Sequence, residues 1–196
     1  MRDSYINSIF NKVGETMAIV NDIKTLRTFL SENSNQRPIY MTSGGFDPIH
    51  IGHVRCIQGT VTKASNPDIH PWRMKGLVVV VVNADSFLIR KKGYAFMPLE
   101  ERMEIVNAIE GVDFVVPWET DGDQTVCKAI EILKPSYFTK GGDRFDASTI
   151  PEWDICQKVN CEIITGVGAG GKVQSSSELI ARAKEFELLG GTLELT

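Results

Sequence analysis

The sequence is short of cysteine, of histidine, of long apolar runs and of positive charge, and each shortage narrows the possibilities. Its four cysteines, Cys56, Cys127, Cys156 and Cys161, form no C-x-x-C pair. A chain of 196 residues buries a core without disulfide staples, so free thiols in a reducing cytoplasm are expected. Cys156 and Cys161 fit no zinc-finger spacing with the histidines. The most apolar run, residues 76–84 (GLVVVVVNA), is far too short to span a membrane. The N-terminal stretch carries no run of signal-peptide length, so secretion is not expected either. A formal net charge of −4 leaves no cationic excess for coating nucleic-acid phosphates. No G-x-x-x-x-G-K-[ST] occurs, and the first strand-to-helix turn has no G-x-G-x-x-G. The run GVGAGG (166–171) comes late and reads as a loop.

What is present is a regular alternation. Residues 1–37 read as a helical extension and linker. Ile6, Ile9, Phe10 and Val13, then Ile19, Ile23, Leu26, Phe29 and Leu30, recur at helical spacing, with Asp22 as a cap. The polar stretch 31–38 ends in Pro38. From there strands are expected at 38–44, 77–82, 112–118, 136–142 and 161–167. Helices are expected at 52–64, 97–110, 123–133, 149–159 and 176–189. The strands are apolar and β-branched, as in strands buried on both faces. Five strand–helix repeats predict an α/β fold with a doubly wound, five-stranded parallel sheet over residues 38–196. Ligands of such sheets bind beyond the carboxyl ends of the strands.

Those carboxyl ends carry SGGFDPIHIGH, NADSF, KGGDR and GVGAGGKVQSSS. Glycine, serine and aspartate are ordinary turn residues, but four such loops on one rim point to a site. Two of the three histidines, His50 and His53, lie three residues apart at the start of the first helix. Gly44 and Gly45 precede them and Gly52 separates them. A glycine-rich turn entering a helix offers free N–H groups and a positive dipole end, which suit phosphate. Two imidazole donors beside that tip suit a reaction that builds negative charge on phosphorus.

The segment GGFDPIHIGH resembles the G-x-F-D-x-x-H-x-G-H signature of the cytidylyltransferase-like nucleotidyltransferase superfamily, a Rossmann-like fold. VNADS (82–86), residues 91–118 and KGGDR (140–144) resemble the nucleotidyltransferase domain of ADP-heptose synthase and glycerol-3-phosphate cytidylyltransferases. QSSSELI (174–180) is similar to the family's serine/threonine segment. The resemblance covers roughly residues 38–182.

It implies transfer of AMP or CMP from ATP or CTP to a small sugar- or polyol-phosphate, with pyrophosphate released and no covalent enzyme intermediate. By the same resemblance, His50 and His53 hold the triphosphate and steady the α-phosphate. One of Lys91 and Lys92 reaches a phosphate. Gly44, Gly45, Phe46 and Gly52 line the nucleotide, and Arg102 matches the family's arginine. Asp47 fixes the loop or assists a metal. Gly141, Gly142 and Asp143 sit beside base and ribose, and Ser175, Ser176 and Ser177 bind the terminal phosphates or cap the helix. Magnesium is expected to arrive with the triphosphate rather than on protein ligands. Glycerol-3-phosphate cytidylyltransferases carry an arginine before the serines; here the only cation in that stretch is Lys172, which leaves the base open. His70, Trp72 and Arg73 mark a long loop that contacts an acceptor or is a surface turn. Relatives commonly dimerise, so a homodimer is expected. The alternatives are a non-catalytic nucleotide-binding module, or an adenylyltransferase acting on pantetheine phosphate or nicotinamide mononucleotide.

Overall fold

The computed structural model describes residues 10–12, 18–34, 36–66, 75–119, 122, 125–142, 146–168 and 175–188. The elements run β1 (Phe10–Lys12), β2 (Ala18–Val20), α1 (Ile23–Asn33), β3 (Ile39–Gly44), α2 (Ile51–Ala64), β4 (Leu77–Asn83) and α3 (Asp85–Lys92). They continue with α4 (Leu99–Asn107), β5 (Phe114–Trp118), α5 (Cys127–Leu133), β6 (Tyr137–Thr139), α6 (Trp153–Lys158), β7 (Glu162–Ile164) and α7 (Ser176–Leu188). A single 3₁₀ turn, Ala147–Thr149, precedes α6.

The strands form one sheet in the order β1-β2-β5-β4-β3-β6-β7. Every pairing is parallel except β1 with β2. The order of β5-β4-β3-β6-β7 reverses at β3, so the switch point lies between the carboxyl ends of β3 and β6. β4 is buried along its whole length. Successive strand side chains point to opposite faces. Leu77, Val79 and Val81 accordingly enter one core, with Leu26, Leu30, Ile130 and Leu133 of α1 and α5. Val78, Val80 and Val82 enter the other, with Ile57 of α2 and Met103 and Val106 of α4. The doubly wound architecture is therefore present.

Among the described residues its strands number seven rather than five, and the extra pair comes from the expected helical extension. β2 hydrogen-bonds along the edge of β5, registering Ala18 with Phe114 and Ile19 with Val115. The i, i+3, i+4 spacing of apolar residues does not separate a helix from short strands, and the open edge of β5 decides the matter. Among the described residues the first helix begins at Ile23, where Asp22 accepts from the amides of Lys24 and Thr25, each at 2.9 Å. Val20, Ile23, Leu26 and Leu30 share a cluster with Met41 and Val116, so this segment belongs to the main core.

A second difference is α3, where the sequence reads as a loop after β4. Its ten-residue stretch NADSFLIRKK is polar and basic, and within the helix only Phe87 and Leu88 are buried. No apolar periodicity marks it; Gly93, at φ 87°, ends it. β4 and α2 are each one residue longer than expected, and β3, α4, β5, α5, β6, α6 and β7 are shorter at their ends. The expected first helix around Ile6 to Val13 falls largely outside the described residues, as do His70, Trp72, Arg73, Asp143, Lys172 and the glycines after α7. Among the described residues, no helix is long and apolar enough to cross a membrane.

Candidate active site at the sheet switch point

A cavity of about 670 Å³ opens at the carboxyl edge of the sheet. Gly44, Gly45, Phe46, Asp47, His50, Gly52 and His53 line it from the β3–α2 turn. Lys91 and Lys92 come from α3, Gly141 and Gly142 from the turn after β6, and Ser175, Ser176 and Ser177 from the start of α7. Residues far apart in sequence thus meet at the switch point.

The turn after β3 has its shape for local reasons. Phe46 adopts φ 53° and is buried, folding back so that a Cβ on Gly44 would lie 3.0 Å from its ring. The Asp47–Pro48 peptide bond is cis. Asp47 is the anchor. Its Oδ1 accepts the amide of Met97 at 2.7 Å, and its Oδ2 accepts the amide of Phe96 at 2.8 Å. Lys92 donates to Oδ2 at 2.8 Å and to the Asp47 carbonyl at 2.7 Å. Burial raises the Asp47 pKa, but Lys92 and the two amides outweigh it and hold the carboxyl below its ordinary range. Both oxygens are engaged, so the carboxylate ties the turn to the α3–α4 connection. Among the described residues, no group of three or more His, Cys, Asp or Glu side chains is placed to hold a metal ion.

The histidines form a reciprocal cap at the start of α2. His50 Nδ1 accepts the amide of Gly52 at 3.1 Å, and His53 Nδ1 accepts the amide of His50 at 3.3 Å. A neutral imidazole whose Nδ1 accepts must carry its proton on Nε2. The cap therefore sets the tautomer, and each ring keeps one N–H donor, on Nε2. The Phe46 ring meets the His53 ring edge-on at 5.2 Å. Burial pushes the His53 pKa down to about 4, helped by the charges of His50 and Lys92. His50 is also lowered by burial, against the opposing pull of Glu178. Both are neutral donors near pH 7.

The two lysines divide their tasks. Lys92 is spent on Asp47 and rests 4.7 Å from the Tyr94 ring centre. Lys91 is exposed, lies 5.8 Å from the Phe87 ring centre, and has no ion-pair partner among the described residues. At the far end, Ser175 Oγ accepts the amide of Glu178 at 3.2 Å and Glu178 accepts the amide of Ser175 at 2.9 Å, a capping box. Ser176 Oγ donates to the Pro48 carbonyl at 2.9 Å, docking the tip of α7 on the histidine turn.

Gly141 packs where no side chain fits: a Cβ there would lie 2.9 Å from the Cys56 sulfur. Gly142, at φ 85°, takes the left-handed conformation beside the cavity. Arg102 does not reach the cavity, contrary to expectation. It is fully buried behind it, donating to the carbonyls of Gly45 at 2.6 Å, Asn83 at 2.7 Å and Met97 at 2.9 Å, and to the carboxylate of Asp85. The EERM context reads as a helix face, and only the packing of α4 under the β4 end turns this residue inward. Conversely, Thr42, Cys56, Asn83, Thr125, Lys140 and Glu152 line the cavity without having stood out as site residues in the sequence. Lys140 had a signal, its place in KGGDR; Glu152 had none.

Residues 41–165 match the cytidylyltransferase-like family. The chain is 35% identical over 127 residues to the bifunctional protein HldE of Hahella chejuensis, covering 64% of this chain and 24% of that protein. It is 28% identical over 182 residues to the HldE of Alcanivorax borkumensis, covering 92% of this chain and 33% of that one. The chain thus spans a quarter to a third of the length of these curated relatives. In fold it is similar to a pantoate-beta-alanine ligase from Francisella tularensis, with a TM-score of 0.55 at 14% identity, covering 91% of this chain and 82% of that one.

Proposed function

From the premise that this chain belongs to the cytidylyltransferase-like family, we propose that it transfers AMP or CMP from ATP or CTP to a small sugar- or polyol-phosphate. A phosphate oxygen of the acceptor attacks the α-phosphorus in line, the bond from that phosphorus to the bridging oxygen of the β-phosphate breaks, and pyrophosphate leaves with the bond's electrons. The nucleophile is already anionic, so no protein base is required.

The observation that carries this reading is the reciprocal histidine cap, which leaves two imidazoles of one helix tip in the cavity lining with their Nε2–H donors unspent on the cap. Donors fixed before the reaction stabilise developing charge without reorganising. Lys91 supplies a mobile cation for the triphosphate. The α7 tip supplies amides and the Ser177 hydroxyl. Magnesium fits as a companion of the triphosphate: Asp47 is held by Lys92 at 2.8 Å, and His50, His53, Lys91 and the serines of the α7 tip offer donors suited to phosphate oxygens. Bound there, it would neutralise the leaving pyrophosphate.

The test is pyrophosphate release from ATP or CTP with magnesium and a panel of hexose, heptose and polyol phosphates. Release with an acceptor, abolished in His53→Ala, supports the proposal. Nucleotide binding without release across the whole panel would refute it. The preferred base is read from the thermal shift given by ATP against CTP, since a ligand of the native state raises its stability.

A further inference from the structure

We propose that Glu152, in the cavity that Asn83 also lines, is a specificity-determining residue that binds the hydroxyls of a vicinal diol on the ligand. This inference rests on the reading of the cavity as a nucleotidyl-transfer site.

Glu152 stands at the N-terminal edge of α6, 5% exposed, in the lining of the cavity. Its Oε1 is 3.4 Å from Lys140 Nζ, longer than a well-made charge-assisted hydrogen bond. Its Oε2 is buried with no hydrogen-bond partner among the described residues. Asn83, at the end of β4, is 7% exposed and lines the same cavity. Its Oδ1 is likewise buried without a partner among the described residues. Buried acceptors lining one cavity are costly unless donors meet them.

The character of that donor follows from charge. Glu152 is a carboxylate, so it repels phosphate, and phosphates are drawn instead to His50, His53, Lys91 and the α7 tip. The Glu152 lobe then takes the uncharged, donor-rich part of the same ligand. Adjacent hydroxyls present two O–H donors at a spacing that the two oxygens of one carboxylate can meet, and Lys140 can donate back to a hydroxyl oxygen. A vicinal diol occurs on the ribose of the nucleotide and on a sugar or polyol acceptor, and the experiment separates these two sources.

Isothermal titration compares wild type with Glu152→Gln, which keeps the shape and loses the charge. In the first arm the ligands are α,β-methylene ATP and CTP and their 2′,3′-dideoxy forms. In the second they are glycerol 3-phosphate and n-propyl phosphate, with the α,β-methylene nucleotide present. The expected result is a wild-type preference of about tenfold or more for the hydroxylated member in one arm, falling to about twofold in Glu152→Gln. The arm showing it identifies the source. No wild-type preference in either arm overturns the proposal. So does an equal loss for hydroxylated and deoxy ligands, which marks a structural role. Should Glu152→Gln fail to fold, Asn83→Ser probes the cavity's other unpartnered acceptor by the same ratio. These are binding readouts that need no turnover. A wild type that shows the preference but releases no pyrophosphate would therefore sink the transfer reading while leaving this one standing.

Discussion

The imidazole rings of His50 and His53 are stacked, with centroids 3.8 Å apart and planes 26° from parallel. Two cations at that separation repel strongly in a partly buried site, so the arrangement favours two neutral rings. Each ring's Nδ1 is occupied by a backbone amide, and each Nε2–H is kept as a donor. The helix cap and the proposed phosphate grip are thus the same pair of side chains.

His53→Ala is expected to lower kcat by about 10²- to 10³-fold, as for loss of one donor aimed at developing charge. His53→Gln places an amide N–H close to the former Nε2 position and should recover part of that loss. Steady-state rates of the two variants check this; equal rates would mean that the ring acts by shape.

Stability should depend on pH through His53. Its pKa is about 4 when folded, against an ordinary 6.5, so the unfolded chain binds the proton first. The stability is fully present above pH 6.5 and is lost as pH falls towards 4, by about 3 kcal/mol at most. Thermal unfolding from pH 7 to 4 should show a shallower fall in His53→Gln than in wild type. Parallel curves would contradict the assignment.

Lys91 and Asp47 should separate function from stability. Lys91→Met removes a cation with no ion-pair partner among the described residues, and is expected to raise KM for the triphosphate about tenfold with Tm within a degree or two. Asp47→Asn breaks a buried ion pair and weakens two amide contacts. It should cost about 3 kcal/mol of stability and activity with it. Denaturant titration beside initial rates distinguishes the two outcomes.

Arg102→Lys is expected to destabilise the fold by about 3 kcal/mol despite conserving charge, because an ammonium cannot meet three carbonyls and a carboxylate in the fork's geometry. The loss should appear in unfolding midpoints. An unchanged midpoint with a raised nucleotide KM would return Arg102 to the binding surface.

The architecture and the histidine turn were legible in the sequence, for reasons that are local. A run of five valines bounded by turn residues has no comfortable state but a buried strand, and alternation of such strands with helices leaves few topologies. A Gly-Gly turn entering a helix with two histidines in its first turn is likewise a short-range pattern. The tertiary structure decided what depends on partners distant in sequence. β2 is a strand because β5 offers it an open edge. Arg102 is a buried strut because Gly45 and Asn83 bring their carbonyls to it. Lys92 is bound and Lys91 released because Asp47, forty-five residues away from Lys92, selects one of two adjacent lysines. Glu152 enters the cavity only because β6 returns beside β3 and α6 follows it. Hydrophobic periodicity encodes which face of an element is buried, but the partner of a buried polar group is set by where other segments arrive, and no window of sequence contains that.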